Sequence, residues 1–315
     1  MKCLIVQPIH QDGIAMLRDA GITPVLCPTS DMETASRLVP GCIAAITRDA
    51  GFSAQAFAAA DSLKVIVVHG AGHDAVDKEA ATARGILVCN TPGANSRSVS
   101  ELALGLALAA ARLIPAADRA ERDGHSGFRE REKTLELFGK TALIVGWGNT
   151  GSELGRMLSA AFGMRLLVHS PRVADIGDFE RAASLHDGLA QADLISLHTP
   201  MRPETKGLIG REALAVVKPG AILVNTARAG LVDEQALAEA IASGRLSAAA
   251  LDVYSHGAPQ GPLGKSGRVI FTPHLGGATE EALQRMAVAT VRNVLTALSG
   301  TRPATALNDP ATVAA

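Results

Sequence analysis

At 315 residues, with 47% hydrophobic and 19% charged side chains, the chain is too apolar for intrinsic disorder and long enough for two domains rather than one. Thirty basic side chains against 31 acidic ones leave a net charge of −1, and aromatics make up 3%. That balance excludes the electrostatic footprint and stacking platform of a nucleic-acid binder, and the basic face that would hold an anionic membrane.

Along the chain, short runs rich in Val, Ile and Leu recur at Leu4–Val6, Pro24–Leu26, Ile43–Ile46, Val65–Val68 and Ile86–Cys89. After a gap they resume at Thr141–Val145, Arg165–Val168, Leu194–His198, Ala221–Asn225, Ala248–Asp252 and Val269–Phe271. Continuous apolar runs suit parallel strands covered on both faces, and the Ala-rich stretches between them suit helices. The expectation is an α/β protein with two parallel sheets, five strands in the first and six in the second. Cys3, Cys27, Cys42 and Cys89 lack C-x-x-C spacing and sit in or beside these runs. They read as buried thiols in a reducing cytoplasm, with no disulfide framework and no metal site.

The gap carries a long helix. Ser98-Val99-Ser100-Glu101 reads as a capping box, followed by a helix from Leu102 to Arg112 that stops near Pro115. The apolar run Leu102–Ala111 would span about 15 Å as helix, half a bilayer core, and Cys3–Val6 is too short for a signal peptide. A cytoplasmic protein with no membrane partner is expected. Segment 118–136 is charged and reads as a solvated crossing or an interface arm. The last helix is expected from Thr279 to just before Gly300, and the tail after Pro303 is expected to fray.

Two places carry chemistry. Gly146-Trp147-Gly148-Asn149-Thr150-Gly151 follows the Thr141–Val145 run and opens a helix predicted over Ser152–Phe162. That context marks a dinucleotide phosphate loop: Gly146 for the turn, Gly148 for close backbone approach, Gly151 for packing of helix on strand. The next strand ends in His169-Ser170-Pro171-Arg172, where a site for NAD usually has a carboxylate on the ribose. Ser170 and Arg172 would accept a 2′-phosphate, so NADP(H) is favoured, with NAD(H) as the alternative. Further on, Arg228, Asp252 and His274 stand at predicted strand ends and can face the nicotinamide end. An Arg fork for a carboxylate and a His that exchanges a proton fit interconversion of a small 2-oxo acid and a 2-hydroxy acid.

These segments resemble the D-isomer-specific 2-hydroxy acid dehydrogenase family over nearly the whole chain. The likeness runs through Asn90-Thr91-Pro92, Asn95–Glu101, Glu136–Gly151, Leu197–Pro200, Pro203-Glu204-Thr205, Asn225–Gly230, Leu251-Asp252-Val253 and Thr272-Pro273-His274. Asn95–Glu101 is similar to the 3-phosphoglycerate dehydrogenase branch, without that branch's C-terminal regulatory domain. The resemblance implies a Rossmann cofactor domain at 98–283 and a smaller flavodoxin-like substrate domain at 1–97 plus 284–315. It implies Arg228 and His274 as the catalytic pair, the latter as acid/base. Cofactor contacts would come from Gly146, Gly148, Asn149, Thr150, Gly151, Ser170, Arg172, His198, Thr199, Pro200, Thr226, Ala227 and Asp252, the last on the carboxamide. Substrate contacts would come from Ala71 and Gly72 of the Gly70–Gly72 loop, from Arg228 and His274, and from Arg48. A homodimer through the cofactor domain is implied as well.

One departure stands out. The family has a Glu that supports the catalytic His, and here that position falls on Gly257, within Ser255-His256-Gly257-Ala258-Pro259. Three readings stay open: His274 works unsupported, His256 or a substrate group substitutes, or catalysis is weak. A competing reading is therefore a dinucleotide-dependent binding or sensor protein with attenuated catalysis on the same fold.

Overall fold

The computed structural model describes residues 1–310. It divides into two compact units, one formed by Met1–Asn95 with the segment from Gly277 onward, the other by Ser96–Gly276. Among the described residues, twelve strands form two all-parallel sheets of five and seven strands.

In the first unit the strands are β1 (Lys2–Ile5), β2 (Thr23–Leu26), β3 (Ala44–Thr47), β4 (Val65–Val68) and β5 (Leu87–Cys89), in the order β2-β1-β3-β4-β5. This is the flavodoxin-like order. Alternation along the strands sends Cys3, Ile5, Ala44, Ile46, Val65 and Val67 to one face and Leu4, Ala45, Ile66 and Val68 to the other. Helices cover both faces, so all four residues of β4 are buried. Each fully buried Val or Ile contributes about 1.5–3 kcal/mol relative to exposure. The helix Glu280–Leu298 closes the first face with Ala287, Val291 and Val294. Thr279 caps it by accepting the N–H of Ala282 at 3.3 Å, and it ends before Gly300, as the sequence indicated.

The second unit contains β6 (Thr141–Val145), β7 (Arg165–His169), β8 (Glu180–Arg181), β9 (Leu194–Leu197), β10 (Ala221–Asn225), β11 (Leu246–Leu251) and β12 (Val269–Phe271). Their order is β12-β11-β10-β9-β6-β7-β8, the doubly wound arrangement whose direction reverses between β6 and β9. Six strands were expected here. The seventh, β8, is two exposed polar residues paired with Leu167 and Val168, and it carries no apolar run to betray it.

Expectations at the two ends of the long helix give way. The long helix is Ser96–Ala111, so Ser98 lies inside its first turn and donates its hydroxyl to the carbonyl of Gly276 at 2.6 Å. Glu101 pairs with Arg97 four residues back at 2.5 Å, and no capping box forms. Leu113, with φ +51, breaks the helix, and Pro115 starts a new one, Ile114–Arg122, instead of ending the old. The charged arm thus holds that helix and the short Phe128–Arg131. The apolar run Leu102–Ala111 is core: Ala103, Leu106, Ala107, Ala110 and Ala111 are buried. No single helix among the described residues is long and apolar enough to cross a membrane.

The tail is not frayed as far as Pro310. Ala306 bridges Cys89 in antiparallel fashion, and Leu307 donates to the carbonyl of Val88 at 2.8 Å. The Asn308 amide accepts from Val88 N–H at 2.8 Å and donates to the carbonyl of Ile86 at 2.9 Å. The tail satisfies the β5 edge that would otherwise present unpaired groups, a role side-chain pattern does not announce. Residues 311–315 of the expected frayed tail lie outside the described residues. Cys3, Cys42 and Cys89 are buried free thiols, but Cys27, at the end of edge strand β2, is only half-buried.

Candidate active site

The turn after β6 is shaped by its glycines. Gly146 has φ +100, and a Cβ there would sit 2.6 Å from the His198 carbonyl oxygen. That close approach brings the loops after β6 and β9 together at the reversal of strand order. A Cβ on Gly151 would lie 2.0 Å from the carbonyl oxygen of Gly146, so the helix could not pack on its strand. The helix runs Asn149–Phe162, three residues earlier than predicted. Asn149, Thr150 and Gly151 thus supply its unpaired N–H groups, the part of the motif that stabilises phosphate charge. A side chain on Gly148 would meet nothing within 4 Å, which leaves the backbone open to a phosphate.

The sequence reading missed a fourth glycine, Gly155. Trp147 is buried with its ring edge against Phe179, centroids 5.3 Å apart, and a Cβ on Gly155 would strike that ring at 2.6 Å. The repeat of glycine four residues after Gly151 was the available signal.

At the end of β7, Ser170 is buried and its carbonyl accepts from Arg181 at 3.1 Å. Arg181 also donates to the carbonyls of Val173 at 2.8 Å and Ala174 at 3.0 Å, so one guanidinium holds the 170–174 loop. Arg172 is exposed and paired with Glu204. After β9, the imidazole of His198 meets the Ser196 hydroxyl at 2.8 Å, and desolvation pulls its pKa from 6.5 to about 4. Thr199 is half-buried and Pro200 exposed. After β10, Thr226 is buried and its hydroxyl finds no hydrogen-bond partner, an orphan that a ligand at this strand end would satisfy. The open space at Gly148, the free helix start and the Thr226 hydroxyl all fit a dinucleotide.

Arg228, Asp252 and His274 come together through backbone and side-chain bracing. Asn225 is buried; its amide donates to the Arg228 carbonyl at 2.8 Å and accepts from Ala227 N–H at 3.0 Å. The Asp252 N–H donates to the Asn225 carbonyl at 2.9 Å, and the His274 N–H donates to the Asp252 carbonyl at 3.1 Å. Asp252 is 1% exposed, and its carboxylate accepts from the Thr272 hydroxyl at 2.6 Å, Leu275 N–H at 2.7 Å and Gly276 N–H at 2.9 Å. The grip holds His274 at φ +56, a conformation costly for a residue with a Cβ. The His274 ring itself is exposed. The sequence reading named Asp252 for the carboxamide; three of its acceptor sites are occupied by the His274 loop, so it braces that loop as well. Asn225 was quoted only as part of a motif, and its role appears only once the loop is folded.

Gly257 has φ +90 with open space around it, so a Glu there would be strained even though it would fit. A carboxylate nonetheless reaches this loop from elsewhere. Glu234, in the helix Glu234–Ala242, accepts from Ser255 N–H at 2.7 Å and from the Ser255 hydroxyl. His256 is exposed. In the first unit, Arg48 is half-buried with one guanidinium nitrogen on the Pro8 carbonyl at 3.2 Å. Ala71 and Gly72 form the loop after β4, held by Asn90, which donates to the Ala71 carbonyl at 2.8 Å.

Comparison with known proteins agrees with this geometry. The profile of "D-isomer specific 2-hydroxyacid dehydrogenase, NAD binding domain" matches residues 104–276. The chain is similar to D-3-phosphoglycerate dehydrogenase of Methanocaldococcus jannaschii, 37% identical over 98% of this chain and 60% of that protein. It is also similar to hydroxypyruvate reductase of Thermotoga maritima, 34% identical over 91% of this chain and 95% of that one. The solved structure of the TT0316 protein from Thermus thermophilus superposes with a TM-score of 0.89 at 35% identity, covering 98% of this chain and 100% of that chain. The chain spans somewhat over half the length of the phosphoglycerate dehydrogenases it matches. A nicotinamide-dinucleotide unit with this profile, strand order and braced Arg–Asp–His ends places the chain in the D-isomer specific 2-hydroxyacid dehydrogenase family.

Proposed function

We propose that the protein interconverts a small 2-oxo acid and its D-2-hydroxy acid, with Arg228 and His274 as catalytic residues. The observation that carries this reading is the bracing of the Arg228 and His274 loops through Asn225 and Asp252. When bound, the nicotinamide supplies or takes the hydride. Arg228 holds the substrate carboxylate and carbonyl with its fork, fixing which face is presented. The His274 imidazolium gives a proton to the carbonyl oxygen as it becomes a hydroxyl, and the neutral ring takes it back in the other direction. His198, already neutral by burial, adds no charge beside the nicotinamide. Gly146, Gly148, Asn149, Thr150, Gly151, Thr199, Pro200, Thr226, Ala227 and Asp252 line the cofactor, and Ala71, Gly72 and Arg48 are the first unit's substrate contacts. Oxidation of NADPH and of NADH at 340 nm with a panel of 2-oxo acids tests the reading; no turnover with either cofactor on any of them removes it.

NADP(H) is the preferred cofactor in this reading. Ser170 stands where a carboxylate would repel a 2′-phosphate, and Arg172 and Arg181 bring positive charge to the same loop. Arg172 shares its charge with Glu204, so the preference is modest. We expect kcat/KM about tenfold higher with NADPH than NADH, and its order reversed by Ser170→Asp. A wild-type preference for NADH leaves NAD(H) as the cofactor.

Self-association through the cofactor unit, in a reducing cytoplasm and without nucleic-acid or membrane partners, completes the proposal. Ile114, at the start of the helix Ile114–Arg122, and Phe138 are 53% and 77% exposed, large apolar side chains that a second copy would cover. Light scattering on the eluting protein should give twice the 32.4 kDa chain mass, and a monomer mass rejects the dimer.

A further inference from the structure

Strand β8 has no apolar side chain to hold it in place. Glu180 and Arg181 are both exposed, and the strand is joined to β7 by its backbone, with Arg181 opposite Val168 and the Ala182 N–H on the Val168 carbonyl at 3.0 Å. What it delivers to the end of β7 is two charges. Glu180 turns to Arg165 at 2.6 Å. Arg181 reaches past the strand end, and its guanidinium takes the carbonyls of Ser170, Val173 and Ala174.

That grip orients the loop. In a planar trans peptide the N–H points opposite to the C=O. With the Val173 and Ala174 carbonyls on Arg181, the N–H groups of Ala174 and Asp175 point away from it. Those two and the N–H of Arg172 have no acceptor among the described residues. Backbone N–H groups gathered in one turn suit an anion. The charges divide unequally. Arg172 is paired with Glu204. Arg181 has no carboxylate partner among the described residues: Glu180 is on Arg165, and Asp175 accepts from Gly177 N–H at 2.8 Å. A guanidinium has five N–H donors and is always charged, so three carbonyls neither exhaust nor neutralise it. The same strand end is tied to the phosphate loop, where Gly146 N–H donates to the His169 carbonyl at 2.9 Å. Burial, reinforced by the Arg181 charge, holds the His169 imidazole below its ordinary pKa, so the ring is neutral at pH 7.

We infer that Arg181 is the residue that sets the preference for a 2′-phosphate on the cofactor, by positioning the 170–174 loop and by supplying the positive charge that no carboxylate offsets. The inference rests on the NADP(H) preference proposed above. Place in the sequence, next to Ser170, favours Arg172 for this role; the ion pairs of the fold favour Arg181, nine residues further on and on another strand. NADH lacks the 2′-phosphate and shares everything else with NADPH, so a residue with this role acts on one cofactor and spares the other.

The test titrates the fluorescence of NADPH and of NADH with each protein, in the absence of substrate, and takes the ratio of the two Kd values. Both are read on a single preparation, so a partly unfolded variant does not distort the ratio. The wild type is expected to bind NADPH about tenfold more tightly than NADH. Arg181→Met should bring the ratio to within about twofold of one, with the change almost wholly in the Kd for NADPH. Arg181→Lys, which keeps the charge without the grip on three carbonyls, should retain part of the preference. Arg172→Met should cost less of it than Arg181→Met, because Glu204 already draws on that charge. A ratio unmoved by Arg181→Met, a larger loss in Arg172→Met, or equal loss in the Lys and Met variants of Arg181 overturns the inference while leaving the NADP(H) preference intact. A wild type with no preference for NADPH overturns both.

Discussion

Arg228→Lys is expected to lower kcat/KM for 2-oxo acid reduction by roughly a hundred- to a thousandfold while the Kd for NADPH changes less than about twofold. The charge survives the substitution, so long-range attraction of the substrate survives with it. What is lost is the planar fork. The Arg228 backbone is extended, with φ −146° and ψ 141°, and is tied down by the Asn225 amide; one guanidinium nitrogen already rests on the Ala227 carbonyl at 2.7 Å. A planar guanidinium offers a carboxylate two parallel N–H donors. An ammonium on a flexible stem presents one. Hydrogen bonds to a charged group are worth about 1.5–3 kcal/mol each, and misplacing the carbonyl relative to the hydride donor adds to that loss. NADPH binding does not pass through this fork. Steady-state rates with titration of NADPH fluorescence separate the two effects. An unchanged kcat/KM would remove Arg228 from the site, and an equal loss of cofactor affinity would make it a structural residue.

The parts of this molecule that a sequence reveals are those whose physics is local. Eleven of the strands show as unbroken apolar runs because parallel strands are buried on both faces. β8 was invisible because two polar edge residues need no such run. The glycine loop was legible because steric clashes at Gly146 and Gly151 admit no other residue. Gly155 escaped because what demands it is the ring of Trp147, eight residues earlier in the chain. Caps were the least legible: Ser98 has the right spacing for a capping box, yet its hydroxyl serves Gly276, far along the chain.

The candidate site divides the same way. Arg228, Asp252 and His274 could be picked out by residue type at strand ends. The bracing by Asn225, the left-handed backbone of His274 and the reach of Glu234 to Ser255 depend on which strands are neighbours, which no spacing encodes. Gly257 is instructive in the opposite sense. Its departure from the family pattern was legible, but the φ of +90 that makes a simple Gly→Glu repair strained was not.

His69 makes the first unit sensitive to acid. Burial, reinforced by Arg48, pulls its pKa from 6.5 to about 4. The unfolded chain therefore takes up a proton near pH 6.5, whereas the folded unit resists until about pH 4. Between those values the unfolded state binds more protons, so stability falls as pH falls. The contribution is whole above pH 6.5 and gone below about 4. At about 1.36 kcal/mol per pKa unit the loss is on the order of 3 kcal/mol, a large part of a typical domain's stability. His198 adds a similar liability to the second unit by the same mechanism. Carboxylates titrate in this range too, so the measurement is a difference. Urea unfolding of wild type and His69→Leu, at pH 7 and pH 4, should show the variant gaining about 3 kcal/mol relative to wild type on acidification, whatever its standing at pH 7. Parallel pH dependences would mean that His69 takes up its proton in the folded state as readily as in the unfolded one, and that its ring is not sealed from water.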